Sequence, residues 1–208
     1  MKLYDWKAAP NPRRVRIFLA EKDLSIPREE VGAGWALKPE FIAKSTHRLT
    51  PMLELDDGTL IGEAMAICRY FEALHPEPRL FGTDAKSIAL VEMWERKCDF
   101  EGMQAVAEVF RNSLPAFADR ALAGYDVPVP QLPALVERGK LRVQRFFCEL
   151  DQRLSTQRYV AGTVYSVADI TGLCAVDFAK RVKLEMPTAC AQLMRWHAEV
   201  SARPSASA

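Results

Sequence analysis

The chain has 208 residues, 49% of them hydrophobic and 26% charged, with 28 Lys and Arg against 27 Asp and Glu. That much apolar material builds a core without metal or disulfide staples. A net charge of +1 excludes the broad electrostatic footprint of a nucleic-acid or anionic-membrane binder.

Residues 2–6, KLYDW, read as a short strand, with Tyr4 alternating with Leu3 and Asp5 and therefore expected in the core. A Pro-rich turn follows, Ala9-Pro10-Asn11-Pro12, and RRVRIFLAEK (13–22) sets Val15, Phe18 and Leu19 at helical spacing. Residues 26–31 suggest a second strand, 32–37 a loop and 38–44 a short helix. The extended run 50–55 meets Asp56-Asp57-Gly58, and Asp-Gly between β-forming segments signals a hairpin, with 59–61 as the return strand. A helix starts at Glu63, lines up Ile67, Phe71 and Leu74, and stops before Pro76. Strand, helix, strand, short helix, hairpin, helix is the order of an α/β unit with a mixed sheet.

HPEPRLFGTD (75–84) has linker composition, and beyond it no strand pattern stands out. Residues 85–112 read as one long helical stretch with Ile88, Val91, Trp94 and Cys98. Residues 113–133 are irregular, with four prolines, and 134–154, 167–182 and 188–201 are helices. The closing ARPSASA, small and polar, is expected to fray. The domain division is thus 1–76, a linker at 77–84, and an all-helical 85–208. No segment approaches the roughly 20 apolar residues of a membrane helix, and the opening MKLYDWKAAPNPRR has no apolar run of signal-peptide length. The five cysteines (Cys68, Cys98, Cys148, Cys174, Cys190) are odd in number, far apart and without a C-x-x-C pair. Reduced, mostly buried thiols in a cytoplasmic protein are expected, with no disulfide framework and no metal.

PNPRRVRIFLAEK, then PEF (39–41), then TPMLELDDGTLIGEAMAICRYFEALHP (50–76) closely resemble bacterial cytosolic glutathione transferases. MWERKCDF (93–100), RYVAGTVYSVADITG (158–172) and the closing RW…VSARPSA extend the resemblance over nearly the whole chain. It implies a thioredoxin-like α/β N-terminal domain that holds glutathione as co-substrate, an all-α C-terminal helical bundle that contributes the electrophile site, and a homodimer. It also implies roles for individual residues. Pro51 would be cis, leaving the Thr50 backbone to pair with the cysteinyl unit of glutathione as an added strand does. Glu63 would hold the γ-glutamyl amine, and Ala64, at the N-terminus of the next helix, its carboxylate. The family usually has Ser where Ala64 stands, so one hydroxyl is lost and weaker glutathione binding is expected. Lys38, His47 and Arg48 lie where the glycyl carboxylate is bound, and Trp35 either packs beside the peptide or covers the sheet. Ser166 and Asp169 match the family's N-capping box, a structural motif.

Such an enzyme presents glutathione as a thiolate, and a donor at the first helix's N-terminus lowers the thiol pKa from about 8.5. The family's Ser position is Ala9 here. Asn11 is the replacement candidate, since its amide can donate to a thiolate; helping the Pro-rich turn is the alternative role. The backbone N–H groups of residues 9–11 are further donors. Trp6 and Ala8 would border the site, Met103, Gln104 and Phe110 would line an apolar electrophile pocket, and Phe117 would cover it. Asp99 or Glu101 would reach a neighbouring subunit's glutathione. The expected activity is transfer of glutathione to an apolar electrophile, or glutathione-dependent disulfide exchange. Alternatives are a non-catalytic ligand-binding or interaction protein, and an isomerase or dehalogenase on the same fold.

Overall fold

The computed structural model describes residues 1–32, 34, 38–44 and 48–208. Its first part is a four-stranded sheet in the order β2-β1-β3-β4. Strand β1 (Lys2–Asp5) pairs in parallel with β2 (Arg28–Glu30), across the crossover helix α1 (Pro10–Glu21), and antiparallel with β3 (Met52–Glu54). β3 pairs antiparallel with β4 (Leu60–Gly62). Strand alternation divides the side chains between two faces. The cross-strand pair Leu3 and Leu53 joins Val15 and Phe18 of α1 and Ile67 and Phe71 of α3 (Ala64–Leu74) in one core. The pair Tyr4 and Met52 faces the other way, against Val31, Phe41 of α2 (Pro39–Lys44) and Trp6. In the β3–β4 turn Gly58 has φ +84, a conformation that costs glycine little and explains the Asp-Asp-Gly sequence.

Helix α1 starts three residues before the sequence pattern suggests. Ala9 is its N-cap and Pro10 its first residue. Proline at the first helical position loses no hydrogen bond, because that N–H has no intrahelical acceptor. The Pro-rich segment is thus the helix's first turn. The segment after α3 is pinned: the buried Lys22 Nζ donates to the carbonyls of His75 (2.8 Å) and Pro78 (2.7 Å) and pairs with Glu72 (2.7 Å). Leu80 and Phe81 are buried in the core.

The stretch expected as one helix is α4 (Ala85–Lys97), a π-helical segment (Cys98–Gln104) and α5 (Ala105–Ser113). Gly102 sits in the wide turn where a Cβ would meet the Phe146 ring at 2.8 Å and the Ala175 Cβ at 2.9 Å. α7 (Val167–Lys180) is the central post, packed by α1, α4 and the π segment. α6 (Pro133–Leu154) and α8 (Ala191–Ser201) complete the bundle. The tail does not fray: Pro204–Ser207 forms a turn of 3₁₀ helix against α1. Arg203 makes a two-pronged contact with Glu21 (2.7 and 2.6 Å), the Ser205 hydroxyl donates to the same carboxylate, and Arg13 donates to the Ala206 carbonyl at 3.1 Å. Small polar residues become ordered here because α1 supplies their partners. Among the described residues no helix is long and apolar enough to cross a membrane.

Candidate functional site

Tyr4, Met52 and Gly62 are in register across the sheet. One step beyond them, at the same end, lie the β1–α1 loop, the Thr50–Pro51 peptide and Glu63–Ala64. Ligands of open α/β sheets bind at the carboxyl ends of the parallel strands, which here is this end. The Thr50–Pro51 peptide is cis, with Pro51 buried. Glu63 is the N-cap of α3, with φ 62 and no side-chain capping bond; a non-glycine residue held there is strained. Its exposed carboxylate has no hydrogen-bond partner among the described residues. Ala64 is buried, at 2% exposure.

The start of α1 has few donors. The Ala9 N–H is used by the Trp6 carbonyl (2.9 Å), and Pro10 and Pro12 have none. Asn11 alone keeps a first-turn N–H without an acceptor among the described residues, so the expectation that residues 9–11 share this duty narrows to one amide. The Asn11 side chain is oriented from behind. Its Oδ1 accepts from Arg14 at 2.9 Å, and Arg14, only 4% exposed, also meets Asp99 (3.2 Å) and Glu95 (3.5 Å). With Oδ1 occupied, the Nδ2 hydrogens are the free side of the amide. Burial pushes the Glu95 carboxyl above its usual range against the pull of Arg14.

A cleft of about 130 Å³ lies between the β1–α1 loop and α7, lined by Lys7, Ala8, Ala9, Pro10, Arg13 and, from α7 and its end, Cys174, Asp177, Phe178 and Arg181. Arg181 donates to the Ala8 carbonyl (2.8 Å) and lies over the rings of Phe110 and Phe178. The Phe110 ring lies tilted against both Phe178 and Phe117, with ring centroids 5.1 Å apart in each pair. Burial pushes the Cys174 thiol up to about 11, so it stays protonated and offers no nucleophile. Burial raises the Asp177 carboxyl, but hydrogen bonds from His197, Lys180 and Arg13 outweigh this and hold it well below the usual range.

The structure brings Ala8, Ala9, Phe110 and Phe117 to this region and moves others away. Met103 is 3% exposed and sits in the core, turned inward by the π segment, so it has no surface to offer a pocket. Gln104 is exposed. Trp6 packs with the sheet's opposite cluster. Asp99 is held by Arg14 and Glu101 by Arg142 (3.2 Å), so both are engaged within the chain. Lys38 is exposed just before α2, and Arg48 pairs with Asp126 (3.2 Å). Trp35 and His47 lie outside the described residues. Nothing in the sequence pattern singles out Arg14, Phe178 or Arg181. The RRVR run looks like solvated charge, Phe178 like ordinary helix core and Arg181 like a charge at a helix end; only the fold turns them toward the site.

Two family models match the chain: the glutathione S-transferase N-terminal domain over residues 3–79 and the glutathione S-transferase C-terminal domain over 101–204. Glutathione S-transferase 2 of Saccharomyces cerevisiae is 35% identical over 209 residues, covering 99% of this chain and 87% of that protein. A solved glutathione S-transferase domain-containing protein from Marinobacter aquaeolei is similar at 33% identity and a TM-score of 0.90, covering 99% of both chains. The disulfide-bond oxidoreductase YfcG of Escherichia coli is 24% identical over 203 residues, covering 94% of this chain and 88% of that protein.

Proposed function

This chain belongs to the glutathione S-transferase family, and from that premise we propose that it binds glutathione at the open end of its sheet and presents it as a thiolate, activated by Asn11, to a small apolar electrophile or a disulfide. In this reading the Thr50 backbone pairs with the cysteinyl unit, Glu63 takes the γ-glutamyl amine and the Ala64 N–H its carboxylate. Lys38 and Arg48 take the glycyl carboxylate, with Arg48 exchanging Asp126 for the ligand. The acceptor enters the cleft beside Ala8 and Phe110. The proposed domains are 1–76 and 85–208 joined by 77–84, in a cytoplasmic homodimer.

The observation that carries the reading is the start of α1. One residue, Asn11, offers both its backbone N–H and, because Arg14 occupies Oδ1, its side-chain amide. Hydrogen bonds to a charged group contribute about 1.5–3 kcal/mol, and each 1.4 kcal/mol or so lowers the thiol pKa by about one unit. One or two such bonds bring a thiol near pKa 8.5 to the neutral range, and the helix dipole adds to this. The sulfur then attacks the acceptor: on carbon it displaces a leaving group, and on a disulfide it releases one half as a thiolate. YfcG, a disulfide-bond oxidoreductase by name, gives the exchange reaction weight.

The test has two parts. The protein should be retained on immobilised glutathione, and thiolate absorbance in the complex should titrate below the free thiol's pKa. Failure of both sinks the proposal. Parallel assays with a chloronitrobenzene and a mixed glutathione disulfide then separate conjugation from exchange. The missing hydroxyls at Ala9 and Ala64 favour one second reading, a glutathione-binding protein without catalysis. Retention on the resin with an unshifted thiol pKa identifies that case.

A further inference from the structure

Two cysteines of the helical half occupy matching positions across the contact of α6 with α8, away from every residue assigned above. The Asp151 Oδ1 on α6 accepts hydrogen bonds from the N–H groups of Gln192 (2.8 Å) and Leu193 (2.9 Å) at the start of α8. One turn later Arg195 reaches the Leu154 carbonyl at 3.3 Å. Partners on the two helices are therefore 41 or 42 positions apart. One turn back from Asp151 is Cys148, and the same offset leads to Cys190, the N-cap residue of α8. Burial, then the neighbouring Cys148 and Asp151, raise the Cys190 thiol pKa. The two thiols differ in exposure. Cys148 is open to solvent, whereas Cys190 is 5% exposed and Cys68, Cys98 and Cys174 are at most 1%.

We propose that Cys148 and Cys190 form a redox pair, with Cys148 the thiol that reacts with a small disulfide of the glutathione disulfide class and Cys190 the thiol that resolves the adduct. In the first step Cys148 gives its proton to water and its sulfur attacks one sulfur of glutathione disulfide. A protein–glutathione disulfide forms, and one glutathione leaves as a thiolate that takes up a proton. In the second step Cys190 loses its proton, and its sulfur attacks the Cys148 sulfur and expels the second glutathione. The protein dithiol is oxidised by two electrons and glutathione disulfide is reduced to two glutathiones, so no other oxidant is required. Closing the bond requires a sulfur–sulfur separation of about 2.05 Å, between positions that the shared register of α6 and α8 sets opposite each other. The second step is favoured because it is intramolecular. The product ties the middle of α6 to the start of α8 across α7 and shortens the loop free to open on unfolding.

The full-length reduced protein is incubated with excess glutathione disulfide, quenched with an alkylating agent, and followed by intact mass and non-reducing peptide mapping. The wild type should lose the mass of two hydrogens, yield one cross-linked peptide joining positions 148 and 190, keep no glutathionyl group and melt at a higher temperature. Cys190→Ser should trap one glutathionyl group on Cys148, and Cys148→Ser should take up nothing. Five alkylatable thiols after treatment, a lasting glutathionyl adduct on the wild type, or a cross-link to another cysteine would each overturn the pair. Asn11→Ala should form the same cross-link at the same rate. Its failure to do so overturns direct attack by Cys148, while its success leaves the pair standing whatever becomes of the glutathione site.

Discussion

Helices α4 and α7 begin closed, whereas α1 and α3 begin open. Asp84 and Ser87 form a complete capping box at the start of α4, and Ser166 and Asp169 form another at the start of α7. Asp169 is fully buried and accepts from the N–H groups of Val160 and Ser166, the Ser166 hydroxyl and the Trp196 indole (2.9–3.2 Å). At α1 the N-cap is Ala9, and at α3 it is Glu63 with positive φ; neither makes a side-chain capping bond. A helix start leaves backbone donors without partners, and the fold normally supplies them. The starts of α1 and α3 both lie at the carboxyl end of the sheet; α6 also begins without a side-chain cap, at Leu132, so an open start alone does not mark the site. The contrast teaches that the satisfied caps of α4 and α7 hold the fold, whereas the open caps of α1 and α3 lie where a ligand would be held.

The sharpest way to break that contrast is at its closed end. Asp169→Ala leaves the Val160 and Ser166 N–H groups and the Trp196 indole unpaired in the core, a loss of about 3–5 kcal/mol. Urea denaturation at neutral pH reads it, and the fraction that remains folded should bind glutathione with unchanged affinity. Full stability with impaired binding would mean that α7's start serves the site after all. At the open end the expected pattern is reversed. Asn11→Ala should raise the bound thiol's pKa by about one to two units and lower turnover accordingly, with little change in the urea midpoint. An unchanged thiol pKa returns Asn11 to the role of turn former. Arg14→Lys keeps the charge but loses the planar fork that holds the Asn11 Oδ1. The bound thiol's pKa should rise by less than in Asn11→Ala, by about half a unit. The same rise in a variant that already lacks Asn11 would show that Arg14 acts by some other route.

The same contrast explains what was legible in the sequence. The hairpin could be read because Asp57-Gly58 permits few other conformations, and the capping box at Ser166 could be read because both of its partners are local. The first turn of α1 was hidden because proline signals a turn and an N1 position equally well. The π segment was hidden because its cause is tertiary: Gly102 gives way to Phe146 and Ala175, which are distant in sequence. That wide turn sends Met103 inward, where helical spacing alone would put it beside Phe110. The tail's order depends on Glu21, more than 180 residues away, and Arg14's role on acidic partners 81 and 85 positions along the chain. Local rules reveal what is closed locally, and the site is made of groups whose partners are remote or absent.

The smallest expected effect tests the comparison most finely. Ala64 is the first residue of α3 and is 2% exposed, so a serine there would place its hydroxyl at the mouth of an open helix start with almost no access to water. Without ligand that hydroxyl has nothing to repay its desolvation, and Ala64→Ser should lower the stability of the free protein by about 1 kcal/mol. With glutathione bound, the hydroxyl donates to the γ-glutamyl carboxylate, and affinity should rise by about 0.5–1.5 kcal/mol, a few-fold to about tenfold in Kd. The two effects have opposite signs, so a melting temperature lower than wild type without glutathione and a larger stabilisation on adding it would be diagnostic. Equal losses with and without glutathione would show that the carboxylate does not lie at the start of α3, and that the open cap there serves some other group.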